Sequence, residues 1–196
     1  YDFVIVTQPY SDHFHKETLL ALKPAALIAP EALRKAILRI LPETHFIALN
    51  AKSATHAASI RLTLLPHDQA LGPNFHALGI DDGHESMIFA PHGLPKLEGL
   101  GHLPPCKLLM TTFNTYRLPR ILGGTIAPGT EQLARLIEAL KPDYVLRTHD
   151  EIKEAHGLVS RLAKVSTPSD EEALQLPCLQ GRYLPVNDYH PFTLGA

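Results

Sequence analysis

The chain has 196 residues, of which 45% are hydrophobic and 19% charged, so it can bury the core of one compact domain. Its 12 glycines, 17 prolines and two cysteines exclude collagen, simple disorder and a disulfide framework. The 18 Lys and Arg residues are balanced by 20 Asp and Glu, so neither nucleic acid nor an anionic membrane is expected as a partner. No apolar run approaches the ~20 residues of a membrane-spanning helix, and we expect a soluble, cytoplasmic protein.

The first half of the chain alternates short apolar runs with helical patterns. It predicts strands at 3–6, 25–29 and 46–49, separated by one helix from about His15 and a second that begins at Pro30. This order is typical of parallel βαβ units. After residue 59 the pattern changes to alternating apolar and polar residues, which predicts antiparallel strands. These strands are expected at 60–64, 75–80 and 86–90.

The second half is predicted to be irregular until residue 130. Glycines and prolines between 91 and 128 predict long loops, with one strand at 108–111. A helix from Thr130 then leads into a strand at 144–146. A further helix is expected after Asp150, with an apolar stripe formed by Ile152, Ala155, Val159 and Leu162.

The acidic, proline-containing sequence beyond Thr167 predicts no regular element. We therefore expect a domain at 1–165 and an irregular tail at 166–196, packed on that domain or trailing from it.

The twelve histidines indicate possible ligand sites. The most informative candidate is the segment at residues 7–13. This segment, TQPYSDH, follows a predicted buried strand and precedes a helix, the position where open α/β sheets bind ligands. Adjacent Asp12 and His13 can offer an oxygen and an imidazole to one cation. The alternative is that Asp12 caps the helix and His13 hydrogen-bonds a neighbouring carbonyl.

Residues 7–19, TQPYSDHFHKETL, resemble the first motif of the metallo-β-lactamase fold superfamily, Thr-His-x-His-x-Asp-His followed by a helix. Gln8 and Tyr10 stand in place of the two leading histidines. The order of later elements is also similar, and it ends in a strand-His-helix unit at 147–159. The resemblance covers most of residues 1–164. Three segments suggest a divergent branch found in fungi and plants: LGPNFHALGI, IFAPHG and RTHDEIKEAHGLV.

The resemblance implies a mixed α/β protein, an αβ/βα sandwich. The chain begins at Tyr1 with a predicted strand almost at once, and the strands that members of the superfamily carry before the first motif are missing. We therefore expect an N-terminally incomplete version of this fold.

The first metal position of the superfamily would use residues 8 and 10 and a later histidine, for which His67 is the candidate. Gln8 and Tyr10 are poor zinc ligands, so the resemblance implies that this position is empty.

The second metal position fits better. It takes Asp12, His13 and a final histidine that His149 matches. His92 stands where the superfamily has a bridging aspartate, and an imidazole is a good ligand to one cation but not a bridge between two. The resemblance therefore predicts at most one divalent cation, zinc, held by these four residues.

The implied function is metal-dependent hydrolysis of an unknown small-molecule substrate, in which a cation polarises the scissile bond and lowers the pKa of a water. The expected catalytic residues are Asp12, Tyr10, which could donate a hydrogen bond to a developing oxyanion, and Gln8, which could orient water. The competing interpretation is a non-catalytic relative that binds a small molecule or a protein partner through the same cleft. Asp150 or Glu151 could also accept the free N–H of a ligand imidazole, unless Asp150 only caps the next helix.

Overall fold

A computed structural model of the chain describes residues 3–11, 13–50, 53–66, 76–94, 96–97, 100–148, 150 and 161–185. The strands are β1 (Val4–Ile5), β2 (Ala26–Pro30), β3 (His45–Leu49), β4 (Thr55–Ala57), β5 (Ile60–Pro66), β6 (His76–Asp81), β7 (Ser86–Ala90), β8 (Cys106–Thr111), β9 (Thr115–Arg117), β10 (Thr125–Pro128), β11 (Tyr144–Arg147) and β12 (Lys164–Ser166). The helices are α1 (Lys16–Leu22), α2 (Arg34–Ile40), α3 (Thr130–Leu140) and α4 (Asp170–Leu174).

The sandwich is formed by two β-sheets. The first has the order β1-β2-β3 with parallel pairing, which confirms the predicted βαβ units. The second has the order β11-β8-β7-β6-β5-β4. Its β4 to β7 portion is antiparallel, whereas β7, β8 and β11 run parallel. The carboxyl ends of these last three strands therefore lie at one edge.

Alternation along the strands sorts their side chains between layers. In β2, Ile28 packs between the two sheets with Leu49 of β3 and Leu62 of β5, whereas Leu27 faces the helices and packs with Ile37 of α2. On the outer face of the second sheet, strand residues pack against Leu133 and other apolar residues of α3. The layers are therefore helix, sheet, sheet, helix, as the αβ/βα prediction requires.

The structure differs from the sequence prediction between residues 112 and 128. Instead of loops alone, β9 pairs with β10 and β12 to form a small third sheet. These strands have only three or four residues each, so they give too short a pattern for alternation to be recognised.

The segment after Thr167 also contains regular structure. Helix α4 begins with a capping box in which Ser169 accepts from the Glu172 N–H and the Glu172 side chain accepts from the Ser169 N–H. Ala173, Leu179 and Tyr183 are buried in the core cluster formed with α3. This part of the chain therefore contributes to the core of the second sheet's outer face.

The N-cap of α1 is His15, whose side chain accepts from the Thr18 N–H. Asp12, for which capping was the alternative role, lies outside the described residues. One smaller expectation is wrong. Leu162, expected on a buried stripe, is 41% exposed. The remainder of that stripe, at 152–159, lies outside the described residues. Within the described ranges, no helix has both the length and the apolar character that a membrane span requires.

Candidate functional site

The candidate site lies where four strands end. Residues 91–94 follow β7, residues 112–114 follow β8, and Thr148 and Asp150 follow β11, all at one edge of the second sheet. The Thr148 N–H continues the parallel pairing by donating to the Thr111 C=O at 3.0 Å. The loop at 6–11 follows β1 in the facing sheet. This edge is where parallel sheets place ligand-binding loops.

The structure brings His13 and His92 together from opposite sheets. Their ring centroids are 5.6 Å apart and their planes are tilted by 49°. Two imidazoles that bind one zinc with Zn–N distances of about 2.0–2.1 Å and tetrahedral angles have ring centres about 5 Å apart. The observed spacing is therefore close to that of two ligands of one cation, and the two residues fit the predicted metal.

Thr7 fixes one side of the His13 ring. Its hydroxyl Oγ1 lies 3.3 Å from Nδ1 of His13, and Thr7 is buried. The His13 Nε2 atom is also buried. When Nδ1 carries the proton and donates to Thr7, the lone pair is on Nε2, as a metal ligand requires. Sequence analysis did not identify Thr7 in this role.

Gln8 and Tyr10 occupy different environments. Gln8 is fully buried, and neither Nε2 nor Oε1 of its carboxamide has a hydrogen-bond partner among the residues that the structure describes. Tyr10 is 41% exposed, and its C=O accepts from the N–H groups of His13 and Phe14. The Tyr10 backbone thus closes the turn that carries His13. Gln8 retains a donor and an acceptor for a further polar group.

Three predicted ligands, Asp12, His67 and His149, lie outside the described residues. Among the residues that are described, no group of three or more His, Cys, Asp or Glu side chains could hold a metal ion. That search therefore does not bear on a site that includes Asp12 or His149. The described part of the predicted set is His13 and His92.

Asp150 is the centre of a hydrogen-bond network beside this site. Its carboxylate accepts from the Thr112 hydroxyl at 2.6 Å and from the Phe113 and Asn114 N–H groups at 2.9 and 3.1 Å. Arg147 Nε donates to the same carboxylate at 3.2 Å, and the Asp150 side chain is only 6% exposed. These bonds tie the loop after β8 to the end of β11.

Arg147 extends this network into the C-terminal part. Its Nη1 donates to Asp170 Oδ1 at 2.8 Å, and the Tyr183 hydroxyl donates to the same oxygen at 2.5 Å. The hydrogen bonds from Tyr183 and Arg147 lower the pKa of Asp170. Burial, together with the bond to Asp170, raises the pKa of Tyr183. Asp170 is therefore ionised, and α4 is fastened to the edge that carries the site.

A second residue missed by sequence analysis is Gln132 of α3. It is 7% exposed, and its carboxamide binds the backbone of Leu94, two residues after His92. The signal was present, because Gln132 lies four residues before Leu136 and thus on the apolar face of the helix. A glutamine at that position indicates a specific buried partner.

Searches with protein-family models and with curated protein sequences give no match. Solved structures do match, each over 76% of this chain. CmlA, a diiron β-hydroxylase from Streptomyces venezuelae, has 18% identity and a TM-score of 0.62, with 35% of its chain covered. The metallo-β-lactamase fold protein YhfI from Bacillus subtilis has 16% identity and a TM-score of 0.57, with 64% covered. The isothiocyanate hydrolase from Delia radicum gut bacteria has 16% identity and a TM-score of 0.58, with 62% covered.

The match spans less than two thirds of the length of each of these three proteins. One of these proteins, YhfI, is described as a metallo-β-lactamase fold protein. The layer order and the loop edge of this chain agree with the sandwich expected for that fold. The chain therefore has the metallo-β-lactamase fold.

Proposed function

We propose that the loop edge binds one divalent cation, zinc, and that the protein is a metal-dependent hydrolase of a small molecule. The cation would be held by Asp12, His13, His92 and His149. The observation that carries this proposal is the 5.6 Å separation of the His13 and His92 rings. Two histidines from separate sheets meet at a spacing that suits a shared cation.

The positions of Thr148 and Asp150 support the inclusion of His149. Both residues are fixed, one by the backbone bond to Thr111 and the other by its four donors. His149 lies between these two residues in the sequence, and we therefore include it in the proposed ligand set. The carboxylate of Asp150 is engaged by Thr112, Phe113, Asn114 and Arg147, and its role is to hold the loops together.

The similar structures include a diiron enzyme and a hydrolase, which supports a metal at this edge and hydrolysis as the reaction class. A bound cation would supply a Lewis acid that polarises the scissile bond and lowers the pKa of a water. The residues of this chain would orient the metal ligand and provide hydrogen bonds to the water or the substrate. Thr7 holds the His13 tautomer, and the buried Gln8 carboxamide offers one donor and one acceptor to a water or to the substrate.

The alternative function is non-catalytic binding of a small molecule or partner through the same cleft. It is favoured by Gln8 and Tyr10, which replace two histidines, and by the 41% exposure of Tyr10. An Asp and three His residues closed around one tetrahedral cation also leave no position for water. In that case the cation stabilises the fold.

The metal content of protein purified without added metal tests the proposal. We expect about one zinc per chain in the wild type and a loss of most of it in an Asp12→Ala, His149→Ala double variant. His84→Ala is the matched control, because His84 is exposed in the turn before β7, at the opposite end of that strand from His92. Wild-type protein that remains free of metal after dialysis against zinc would overturn the metal site.

A hydrolysis panel of esters, phosphodiesters and β-lactams, with and without zinc or manganese, separates the two functions. Metal-dependent turnover that Asp12→Ala abolishes supports the hydrolase. Zinc binding without turnover, together with a lower melting temperature in chelator, supports a structural cation in a non-catalytic protein.

A further inference from the structure

The Gln132 side chain forms two hydrogen bonds with the loop that contains His92. Its Oε1 accepts from the Leu94 N–H at 3.0 Å, and its Nε2 donates to the Leu94 C=O. Gln132 is 7% exposed and Leu94 is fully buried. One side chain of α3 thus satisfies both backbone groups of a single buried residue, which would otherwise destabilise the fold.

The loop itself is shaped around this side chain. Gly93 has a φ of +80°, and a Cβ on it would lie 2.7 Å from Gln132 Oε1 and 3.0 Å from Pro128 Cγ. The Gly93 N–H donates to the Ala90 C=O at 2.9 Å, which closes a turn directly after β7. His92 lies inside this turn, between the end of the strand and the Leu94 contact.

We propose that Gln132 is a positioning residue, which holds the His92 ring against His13 by fixing the backbone at Leu94. The consequence for metal binding rests on the proposed function, but the positioning of the ring does not. A flexible loop would let the imidazole leave the 5.6 Å arrangement, and residues that orient a metal ligand set its affinity.

The two hydrogen bonds to Leu94 require a carboxamide side chain at position 132. It has both a donor and an acceptor, whereas a carboxylate only accepts and a thioether does neither at useful strength. Gln132→Met keeps the length and removes both hydrogen bonds. Gln132→Glu keeps the acceptor for the Leu94 N–H but directs a carboxylate oxygen at the Leu94 C=O.

The test is histidine-ring NMR on the full chain without metal. In the wild type we expect a cross-relaxation signal between the rings of His13 and His92, because their centroids are 5.6 Å apart. Gln132→Met should weaken this signal severalfold and shift the His92 ring resonances. Gln132→Glu should do the same, and it provides a second reading if one variant folds poorly.

The matched control is Leu136→Ala, which lies on the same face of α3 and is almost fully buried. It should lower the melting temperature without changing the His92 signals. Equal changes in Leu136→Ala and Gln132→Met would show that Gln132 is only a core residue and would overturn the proposal. So would an unchanged His92 signal in a folded Gln132→Met protein.

Zinc titration separates this proposal from the proposed function. If the wild type binds zinc, Gln132→Met should bind it about 10–100-fold more weakly, and Leu136→Ala should bind it as the wild type does. If the wild type binds no zinc, the metal function fails, whereas the NMR comparison still decides the role of Gln132.

Discussion

Asp150 and Gln8 are both buried polar residues that follow strands at the same edge of the molecule, yet their surroundings are opposite. Asp150 accepts hydrogen bonds from Thr112, Phe113, Asn114 and Arg147. Gln8 is fully buried, and within the described part of the chain neither carboxamide atom has a hydrogen-bond partner. Asp150 thus has four donors, whereas Gln8 has no partner among these residues.

This difference separates the parts of the edge by role. A buried polar group with all its bonds made fixes the backbone around it, whereas one without partners raises the free energy of the fold. Natural proteins retain such costs mainly at functional sites. Asp150 therefore ties the loop after β8 to the end of β11, and the loop after β1 has a whole carboxamide to offer to a ligand. Among the described residues, Asn114 Oδ1 in the loop after β8 is a further buried acceptor without a partner.

Replacement of Asp150 should give the largest effect. Asp150→Ala removes the acceptor of the Phe113 N–H and of Arg147 Nε, whereas the Asn114 N–H keeps the Thr112 hydroxyl as an acceptor. We expect it to destabilise the protein by about 3–5 kcal/mol. Urea denaturation measures this loss. Asp143→Ala is the control, because that carboxylate is 59% exposed and forms an ion pair with Lys107 at 3.3 Å, so its loss should cost less than about 1 kcal/mol. Equal costs for the two variants would contradict the division of roles.

The sequence predicted the layers of the fold because its periodicity is clear. Strands β2, β3 and β5 to β8, and helix α3, lie within a few residues of their predicted positions. Short elements were missed, since β9, β10 and β12 have three or four residues each. Helix α4 could have been found from the Ser169 and Glu172 capping box, a signal that does not depend on periodicity.

At the candidate site, the sequence predicted which residues follow strands but not what holds them. Asp12, His13, His92 and His149 were expected to converge. Of these four, His13 and His92 are described, and their ring centroids are 5.6 Å apart. Thr7 and Gln132 were missed, because a contact with a ring nitrogen or with the Leu94 backbone depends on tertiary packing. A glutamine on the apolar face of α3 indicates that a buried partner exists, but the sequence does not identify that partner.

Replacement of Asp170 should have an intermediate effect on stability, and that effect should depend on pH. Its hydrogen bonds with Tyr183 and Arg147 lower its pKa below the ordinary value of 3.8. A carboxyl with a lowered pKa in the folded state contributes stability above its unfolded pKa and loses it as the pH falls through the folded value. Asp170→Asn should therefore cost about 1–2 kcal/mol at pH 7, and the difference from the wild type should shrink below about pH 4.

Denaturation curves at pH 7, 5, 4 and 3 measure this trend. Asp82→Asn is a useful comparison, because the pKa of Asp82 is also lowered, by the N–H groups of Glu85 and His84, but Asp82 lies in an exposed turn far from Arg147. A difference between Asp170→Asn and the wild type that stays constant across this pH range would show that the charge of Asp170 does not stabilise α4.

Gln8→Met should give the smallest change in stability. Unlike the variants above, it should stabilise the protein. Methionine has nearly the length of glutamine but no strong donor or acceptor, so the variant removes a buried carboxamide without partners and leaves no large cavity. We expect a gain of about 1 kcal/mol in the free energy of unfolding, measured by urea denaturation beside Gln175→Met, an exposed position that should change little. Zinc content should stay the same, because Gln8 is not among the proposed ligands, whereas any hydrolysis should fall. A loss of stability in Gln8→Met would mean that the carboxamide is already engaged in the ligand-free protein, and the contrast with Asp150 would then disappear.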